Sequence, residues 1–393
     1  MGPPAGQTRK GAGCKSEGKK ACQFSDDVGT IPCTGTAASR RQKTNNTRKA
    51  PMQIPNKISP SGIPVLTILL ILLGLSAHAS AWNGPGHMQT ADAAWLSLLP
   101  AVRAVITSIL RKAREGFEPA GASVAKVRDA FDYAATFPDI IKTADSTDYE
   151  ELVVAMNPIF WPNKKPDTTA GNEAWRCRSW HFYDVPLNDK KHNAVIWESN
   201  LLKAWARATK DLRSLHKGTY SGPKFDGFSN DDLKFWWLAW LLHMAGDAHQ
   251  PLHCASNYAP PNDKKGDAGG NRFHLKSGKL HSLWDGMIVR AASEDKFHIR
   301  TVEDINGSPS VRLGAVSKQW SKDFPPTTAD LAQLDINAWV ATGSQKALDI
   351  VYDGIEPGGT PSAAYLKRAK TYARAAAVLG GQRLAKVLNE ILS

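Results

Sequence analysis

The feature that most constrains this fold is the apolar segment DDLKFWWLAWLLHMAGDA. It predicts a helix over Asp231–Ala248, because Asn230 or Asp231 can cap it, acidic residues open it and Pro251 follows its end. A stripe of tryptophans along this helix is assigned to core packing: Trp236, Trp237 and Trp240. A histidine and an aspartate lie near the end of the segment, and both would be costly to bury beside that stripe without a partner.

Helical patterns dominate the rest of residues 82–393. They predict helices over four further ranges: Thr90–Leu110, Ser282–Ala292, Leu331–Tyr352 and Pro361–Leu392. Segments rich in Gly, Pro and Lys predict loops at 162–172, 217–229, 257–271 and 356–362. Strand signals are few and short, and there is no internal repeat. The sequence therefore predicts one all-α domain, of a size still compatible with a single core.

Two pairs of histidine and aspartate share one spacing. In HMAGDAHQPLH, His243 and Asp247 are four residues apart and so lie on one helix face. HSLWDG repeats this spacing with His281 and Asp285, and His253 follows the first pair just after a proline. Imidazole and carboxylate groups arranged in this way suit a divalent metal ion, zinc in particular. For either pair alone, the alternative is an ordinary pair on a helix surface.

The motif WNGPGH adds ligands if the chain is cleaved just before it. The α-amino group and carbonyl oxygen of a free Trp82 form a five-membered chelate with a metal ion. His87 follows at a suitable distance, and the Gly-Pro-Gly between them allows a sharp turn. The ordinary pKa of the amine, about 7.7–8.0, lets a metal displace its proton near neutral pH. The alternative is a simple turn into the first helix.

The basic charge of the chain is concentrated near its N-terminus. The formal net charge is +12, and residues 1–81 account for +8, with eleven Lys/Arg against three Asp/Glu. The other residues carry the remaining +4, which is weak evidence for nucleic-acid binding by the folded part. Residues 1–51 are also poor in apolar side chains, which predicts a disordered basic leader. Met52 offers a second start, so expression of that leader stays open.

Residues 52–81 have the pattern of a secretory signal peptide. Lys57 provides a short basic region, an apolar run extends from Ile63 to Leu75, and Ala79 and Ala81 form an A-x-A site. The rival is a membrane anchor, but the apolar run is shorter than the roughly 20 residues a span needs. We therefore predict cleavage after Ala81, a secreted or periplasmic protein, and no stable membrane association after cleavage.

Three further residues of the cleaved chain have no assigned chemistry. Cys177 and Cys254 are its two cysteines, and pairing or two buried thiols are equally compatible with the sequence. His249 lies between the proposed ligands, and we assign it to a supporting or an exposed position.

Taken together, these motifs resemble the zinc-dependent single-strand nuclease and 3'-nucleotidase family, the type I nucleases. The resemblance covers nearly all of residues 82–393, and its motifs occur in the family's order: WNGPGH, WHFYD, HMAGDAHQPLH, GGNRF and HSLWD. It implies the helical fold shared with zinc phospholipase C and three zinc ions. We also expect the chain to act as a monomer.

The resemblance also implies how the ligands divide among the three ions. The first inner zinc would take the amine and carbonyl of Trp82, His87 and Asp247. The second would take Asp139, His181 and His243, with Asp247 as a bridge. The outer zinc would take three remaining residues: His253, His281 and Asp285.

The implied activity is hydrolysis of single-stranded DNA and RNA to 5'-nucleotides, together with 3'-nucleotidase action. A hydroxide between the inner zinc ions would attack phosphorus in line, and the outer zinc would stabilise the leaving oxygen. Phe182 would stack on a base and Asp184 would bind the base edge, while Asn271 matches a further substrate position. Nucleic acid and nucleotides are thus the expected substrates.

The sequence departs from the family at two positions with implied catalytic roles. Asp139 follows Phe137-Pro138, where the family usually has Trp-Ala, and Lys142 stands where an arginine often lies near the scissile phosphate. Lysine offers a point charge without a bidentate fork. Two alternatives remain: a zinc phospholipase C, disfavoured by the short Trp82–His87 spacing and by Asp285 in place of Glu, and a non-catalytic zinc-binding secreted protein.

Overall fold

The computed structural model describes residues 82–113, 124–140, 177–190, 196, 199–224, 228–262, 264–288 and 313–393. The helices in these ranges are α1 (Gly84–Ser97), α2 (Pro100–Lys112), α3 (Val124–Ala134), α4 (Phe137–Ile140), α5 (Leu201–His216), α6 (Asn230–Asp247), α7 (Leu280–Asp285), α8 (Leu313–Asp323), α9 (Thr328–Ala332), α10 (Ile336–Lys346) and α11 (Ala363–Ile391). Short 3-10 turns cover Arg178–His181 and Pro251–His253, and a π turn covers Ala347–Val351. The prediction of an all-α fold is confirmed.

The apolar segment forms the central helix, α6. Every residue from Phe235 to Asp247 is buried, as expected of a helix that is apolar on all sides. The tryptophan stripe packs in the core as predicted, with Trp237 and Trp240 against Trp180. The N-cap is Ser229 rather than Asn230 or Asp231, because Ser229 and Asp232 form a reciprocal capping box.

Two predicted helices are divided in the structure. Thr90–Leu110 is two helices, because Leu99 precedes Pro100 and takes an extended conformation, as residues before proline do. The first of these, α1, also begins earlier than predicted, at Gly84, with Asn83 as its cap. Leu331–Tyr352 includes only the last two residues of α9 and then α10 and the π turn, since Asp335 caps a new helix within that range.

The other predicted helices are shorter than their patterns. Pro361–Leu392 becomes α11, which begins after the cap residue Ser362 and ends at Ile391. Ser282–Ala292 corresponds to α7, which starts at Leu280 and ends at Asp285, and residues beyond 288 lie outside the described ranges. Helices α3, α4, α5 and α8 were not predicted from the sequence.

A short parallel pair of strands accompanies the helices. β1 (Val185–Leu187) pairs with β2 (Ala255–Asn257), with Val185 opposite Ala255. Two further backbone hydrogen bonds extend this pairing, from Val185 to the carbonyl of Cys254 and from Tyr183 to the carbonyl of His253. The pair therefore fixes the segment after His181 against the segment after His253.

Buried apolar residues form two clusters. The larger surrounds α6 and includes residues of α1, α2, α3, α5, α10 and α11. The second surrounds α7 and holds Trp82, Trp284 and Tyr365, with Trp284 Nε1 donating to Tyr365 Oη at 2.8 Å. Cys177 and Cys254 are both buried and do not form a disulfide with each other. Within the described ranges, no helix is both long enough and apolar enough to span a membrane.

Candidate metal centre

Three groups of histidine and aspartate side chains could each hold a metal ion. Their ligand atoms lie within 4.8 Å of one another in each group: His87, His243 and Asp247; Asp139, His181 and His243; His253, His281 and Asp285. Nearly all of these side chains are buried. The residues come from α1, α4, α6, α7 and the two 3-10 turns, so this site depends on the packing of elements distant in sequence.

Asp247 lies between the first two groups and faces a different partner with each oxygen. Its Oδ1 is 3.5 Å from His87 Nε2, while its Oδ2 is 3.2 Å from His181 Nδ1 and 3.4 Å from His243 Nε2. Two oxygens that face separate sets of imidazoles are what a bridging carboxylate requires. The four-residue spacing on α6 sets His243 and Asp247 on this common face.

The first turn of α1 positions His87 beside α6. The His87 and His243 rings are stacked with centroids 3.6 Å apart. This close approach needs Gly246, because a Cβ there would lie 2.8 Å from His87 Nδ1. Trp82 is fully buried next to the same glycine, and the backbone N–H of Asn83 donates to the carbonyl of Asp285 at 3.0 Å. The N-terminal motif is thus the start of a helix at the site, rather than a turn that precedes the helix.

Asp139 and His181 both precede α6 in the sequence and both lie beside His243. Asp139 Oδ1 is 3.7 Å from His243 Nε2, and His181 Nδ1 is 2.8 Å from the same nitrogen. The unusual Pro138 is compatible with this position, because it lies in the first turn of α4, where a missing backbone N–H costs nothing. Lys142 lies outside the described residues.

The third group is held by a glycine loop. The carbonyl of Gly269 accepts a hydrogen bond from His281 Nδ1 at 2.5 Å. Gly269 has a φ of +60°, and a Cβ there would lie 2.3 Å from the carbonyl oxygen of Leu252, so no larger residue fits. Gln250 Nε2 donates to Asp285 Oδ1 at 2.8 Å. Sequence reasoning missed Gln250, whose only signal is its position between Asp247 and His253 in DAHQPLH.

Backbone carbonyls fix the ring orientation of three of the histidines. Nδ1 of His243 donates to Ala135, Nδ1 of His253 donates to His181 at 2.8 Å, and His281 makes the bond to Gly269. A carbonyl can only accept, so each Nδ1 carries the hydrogen and each Nε2 keeps its lone pair for the site. This is the usual arrangement around metal-bound histidines.

His249 follows the same rule and yet lies apart from the three groups. Its Nδ1 is bonded to the carbonyl of Ala245 at 2.8 Å, but Arg383 donates to its Nε2 at 3.0 Å. Burial and the positive charge of Arg383 lower the pKa of His249 to about 3. His249 is therefore a neutral, buried histidine, and the exposed position considered from sequence is wrong.

The predicted substrate residues lie close in sequence to His181 or in the glycine loop that holds His281. Phe182 directly follows His181, is half-buried, and accepts a hydrogen bond from the Leu201 N–H at 3.1 Å. Burial, then the negative charge of Asp267, raise the pKa of Asp184 to about 7, against the opposing charge of Arg272. Asn271, in the same loop as those two charges, is half-buried and donates through Nδ2 to Ala268 at 3.0 Å.

The donor chemistry of the three groups fits metal binding. All of their ligand atoms are imidazole nitrogens or carboxylate oxygens, a combination that suits zinc and other divalent transition metals. A buried carboxylate among imidazoles is also an expensive arrangement without a cation to balance it. The fold and site together define a class: an all-α protein with three adjoining His/Asp groups that could hold metal ions.

Comparison with known proteins assigns this class to a family. The model of the S1/P1 Nuclease family matches residues 82–393, and the chain belongs to that family. The resemblance inferred from the sequence motifs is confirmed, and the match begins at Trp82.

Relatives from Arabidopsis thaliana share part of the sequence. Endonuclease 2 is 29% identical over 157 residues, which are 39% of this chain and 51% of the relative. Endonuclease 4 is 29% identical over 166 residues, 40% of this chain and 50% of the relative. Endonuclease 3 is 27% identical over 279 residues, 65% of this chain and 86% of the relative. The chain thus spans about half the length of the first two relatives.

Proposed function

We propose that the protein is a zinc-dependent endonuclease and phosphodiesterase that hydrolyses single-stranded DNA and RNA to 5'-nucleotides and also removes 3'-phosphates. The observation that carries the proposal is the position of Asp247, whose two oxygens face histidines of two adjoining groups. Membership in the S1/P1 Nuclease family and the endonuclease names of the relatives support the same reaction class.

The chain's residues would hold three zinc ions in the groups described above. When bound, zinc would supply a water of lowered pKa and positive charge beside the phosphate oxygens. Asp247 would keep two cations close by bridging them, with Asp139, His181 and His243 on one side and His87 on the other. The carbonyls that accept hydrogen bonds from the Nδ1 atoms would keep each imidazole oriented toward its metal. The ligands would therefore need little rearrangement during the reaction.

The remaining ligands would depend on processing of the N-terminus. Cleavage after Ala81 would give Trp82 a free amine next to His87, and the buried indole of Trp82 would hold that amine at the site. The same processing would release the protein into the periplasm or the exterior, as a monomer without a membrane anchor.

Recognition of the substrate would rest on residues beside the metals. Phe182 would stack on an unpaired base, which selects single strands because bases in a duplex are not accessible. Asp184 would bind the base edge, and the Asn271 side chain, oriented by its bond to Ala268, would bind the nucleotide near the third metal. Lys142 would add positive charge near the scissile phosphate.

The test is release of acid-soluble nucleotide from single-stranded DNA by purified Trp82–Ser393 loaded with zinc. The matched control carries one extra residue, Ala81, before Trp82. We expect cleavage by the first protein and at least a roughly tenfold loss in the control, since a blocked amine removes a ligand and perturbs the adjoining one. Zinc content, measured on both proteins, should fall in the control.

The outcomes separate the parts of the proposal. Equal cleavage by both proteins would leave the nuclease activity standing and exclude the Trp82 amine as a ligand. Full zinc content without cleavage of DNA, RNA or a 3'-nucleotide would contradict the proposed activity. Phosphatidylcholine would then be the next substrate, and failure there as well would favour a zinc-binding protein without turnover.

A further inference from the structure

Helix α5 carries a row of lysines that the metal centre does not use. Lys203, Lys210 and Lys217 are seven residues apart, and all three are exposed. Seven residues are close to two helical turns, so these side chains lie on one face of the helix, with about 10 Å between neighbours. Lys217 directly follows the last residue of α5 as its C-cap.

The positive charge of this lysine row is uncompensated. The two arginines of the same helix have acidic partners: Arg207 pairs with Asp211, and Arg213 pairs with Glu390 at 2.6 Å. Among the described residues, no carboxylate forms an ion pair with any of the three lysines. Their charges are therefore available to an anion from solution.

A pocket lies at the far end of the row. Its volume is about 350 Å³, and it is lined by three cationic and three hydroxyl side chains: Lys210, Arg213, Lys217, Thr209, Ser214 and Thr219. The Arg213 guanidinium already pairs with Glu390, and the Thr209 and Ser214 hydroxyls donate to backbone carbonyls. The donors left for phosphate oxygens, which only accept, are the ammonium groups of Lys210 and Lys217 and the hydroxyl of Thr219. The lining is thus complementary to a phosphate group.

The N-terminal end of α5, where the row begins, is hydrogen-bonded to the residue that follows His181. The backbone N–H of Leu201, the first residue of α5, donates to the carbonyl of Phe182 at 3.1 Å. Lys203 is two residues further along, so the row begins near the aromatic residue next to His181. From Lys203 to Lys217 the helix rises about 21 Å, which matches about six stacked nucleotides at ~3.4 Å per phosphate of one strand.

We propose that the lysine row and its pocket bind the sugar-phosphate backbone of a single strand whose scissile bond lies at the metal centre. The inference rests on the proposed function, and it adds a second, non-catalytic contact for long substrates. A dinucleotide at the metal centre is too short to reach Lys210 or Lys217. An oligonucleotide of about ten or more residues would reach both, given the ~3.4 Å advance per phosphate.

The test compares substrates of two lengths. The kcat/KM values for a thymidine dinucleotide and a thymidine 20-mer would be measured for the wild type and for the double variant Lys210→Ala, Lys217→Ala. We expect a loss of about threefold to tenfold on the 20-mer, the usual worth of two exposed ion pairs, and no change on the dinucleotide. The slope of log affinity against log salt should also fall by about 1.4, or ~0.7 for each lost phosphate contact.

A matched control and a binding measurement complete the design. Lys318→Ala with Lys322→Ala removes the same charge from exposed positions on α8 and should behave as the wild type. Fluorescence anisotropy with a cleavage-resistant phosphorothioate 20-mer reports binding without turnover. The proposed role of the lysine row would be overturned if both double variants lost the same kcat/KM on the 20-mer. It would also be overturned if Lys210→Ala, Lys217→Ala bound the 20-mer as tightly as the wild type. If the wild type cleaves neither substrate, the proposed activity fails. The anisotropy measurement then tests by itself whether the lysine row binds a single strand.

Discussion

His243 and His249 are two buried histidines six residues apart. Their Nδ1 atoms make the same kind of hydrogen bond, but their Nε2 atoms lie in different environments. In both, Nδ1 donates to a backbone carbonyl, of Ala135 at 2.7 Å for the first and of Ala245 at 2.8 Å for the second. The hydrogen is thus fixed on the same ring nitrogen in both residues, and burial does not distinguish them either.

The second nitrogen makes the difference. Nε2 of His243 faces His181 and the carboxylates of Asp139 and Asp247, whereas Nε2 of His249 accepts a hydrogen bond from Arg383. A guanidinium repels a metal ion and supplies the hydrogen bond that the ring needs. His243 can therefore serve as a metal ligand, whereas the lone pair of His249 is already used by Arg383.

The largest expected difference comes from removing each ring. His243→Ala should lower the proposed nuclease activity by at least about a thousandfold, because metal activation supplies several kcal/mol of the barrier reduction. The same variant should lose zinc. His249→Ala should keep its zinc and activity but lose about 1–3 kcal/mol of unfolding free energy, since Arg383 loses its acceptor. Elemental analysis, an activity assay and urea unfolding measure these effects. Loss of zinc from His249→Ala would contradict the comparison.

A smaller difference is expected from the glycines packed against the two regions. A Cβ at Gly246 would lie 2.8 Å from His87 Nδ1 in the centre, and a Cβ at Gly380 would lie 3.0 Å from His249 Nδ1. Gly246→Ala should displace a ligand and lower zinc affinity by about 10–100-fold. Gly380→Ala should leave zinc binding intact and cost about 1–3 kcal/mol of stability by overpacking. Zinc titration and thermal unfolding of both variants measure these effects. Weaker zinc binding by Gly380→Ala would show that the surroundings of His249 are not independent of the metal centre.

The smallest expected effect is the pH dependence that His249 adds to stability. Its pKa is lowered from 6.5 to about 3 on folding, so its contribution is complete above pH 6.5 and is lost as the pH falls toward 3. Between pH 6.5 and 5.5 this costs about 1 kcal/mol of unfolding free energy. His249→Leu cannot titrate and should lose correspondingly less stability over this range. Urea unfolding at both pH values tests it, and parallel losses in both proteins would assign the effect to other groups.

The sequence predicted the helices best where one apolar pattern ran without interruption. The ends of α6 and α11 lie within a residue or two of their predicted bounds. The prediction of one helix over Thr90–Leu110 failed because it did not allow for the break imposed by Pro100. α5 was missed although its apolar residues have helical spacing, and its lysine row has no meaning until the polar face of the helix is known to be exposed.

The sequence by itself determined the local part of the centre: His243 with Asp247 and His281 with Asp285, because four-residue spacing on a helix places two side chains on one face. It could not determine from spacing that His87, Asp139 and His181 join them, and that grouping came from the family resemblance. Only the tertiary structure decided that Asp247 faces two groups and that His249 faces Arg383. The reason is physical: helix periodicity is set by neighbouring residues, whereas the partner of a ring nitrogen is set by packing between elements that the chain brings together from a distance.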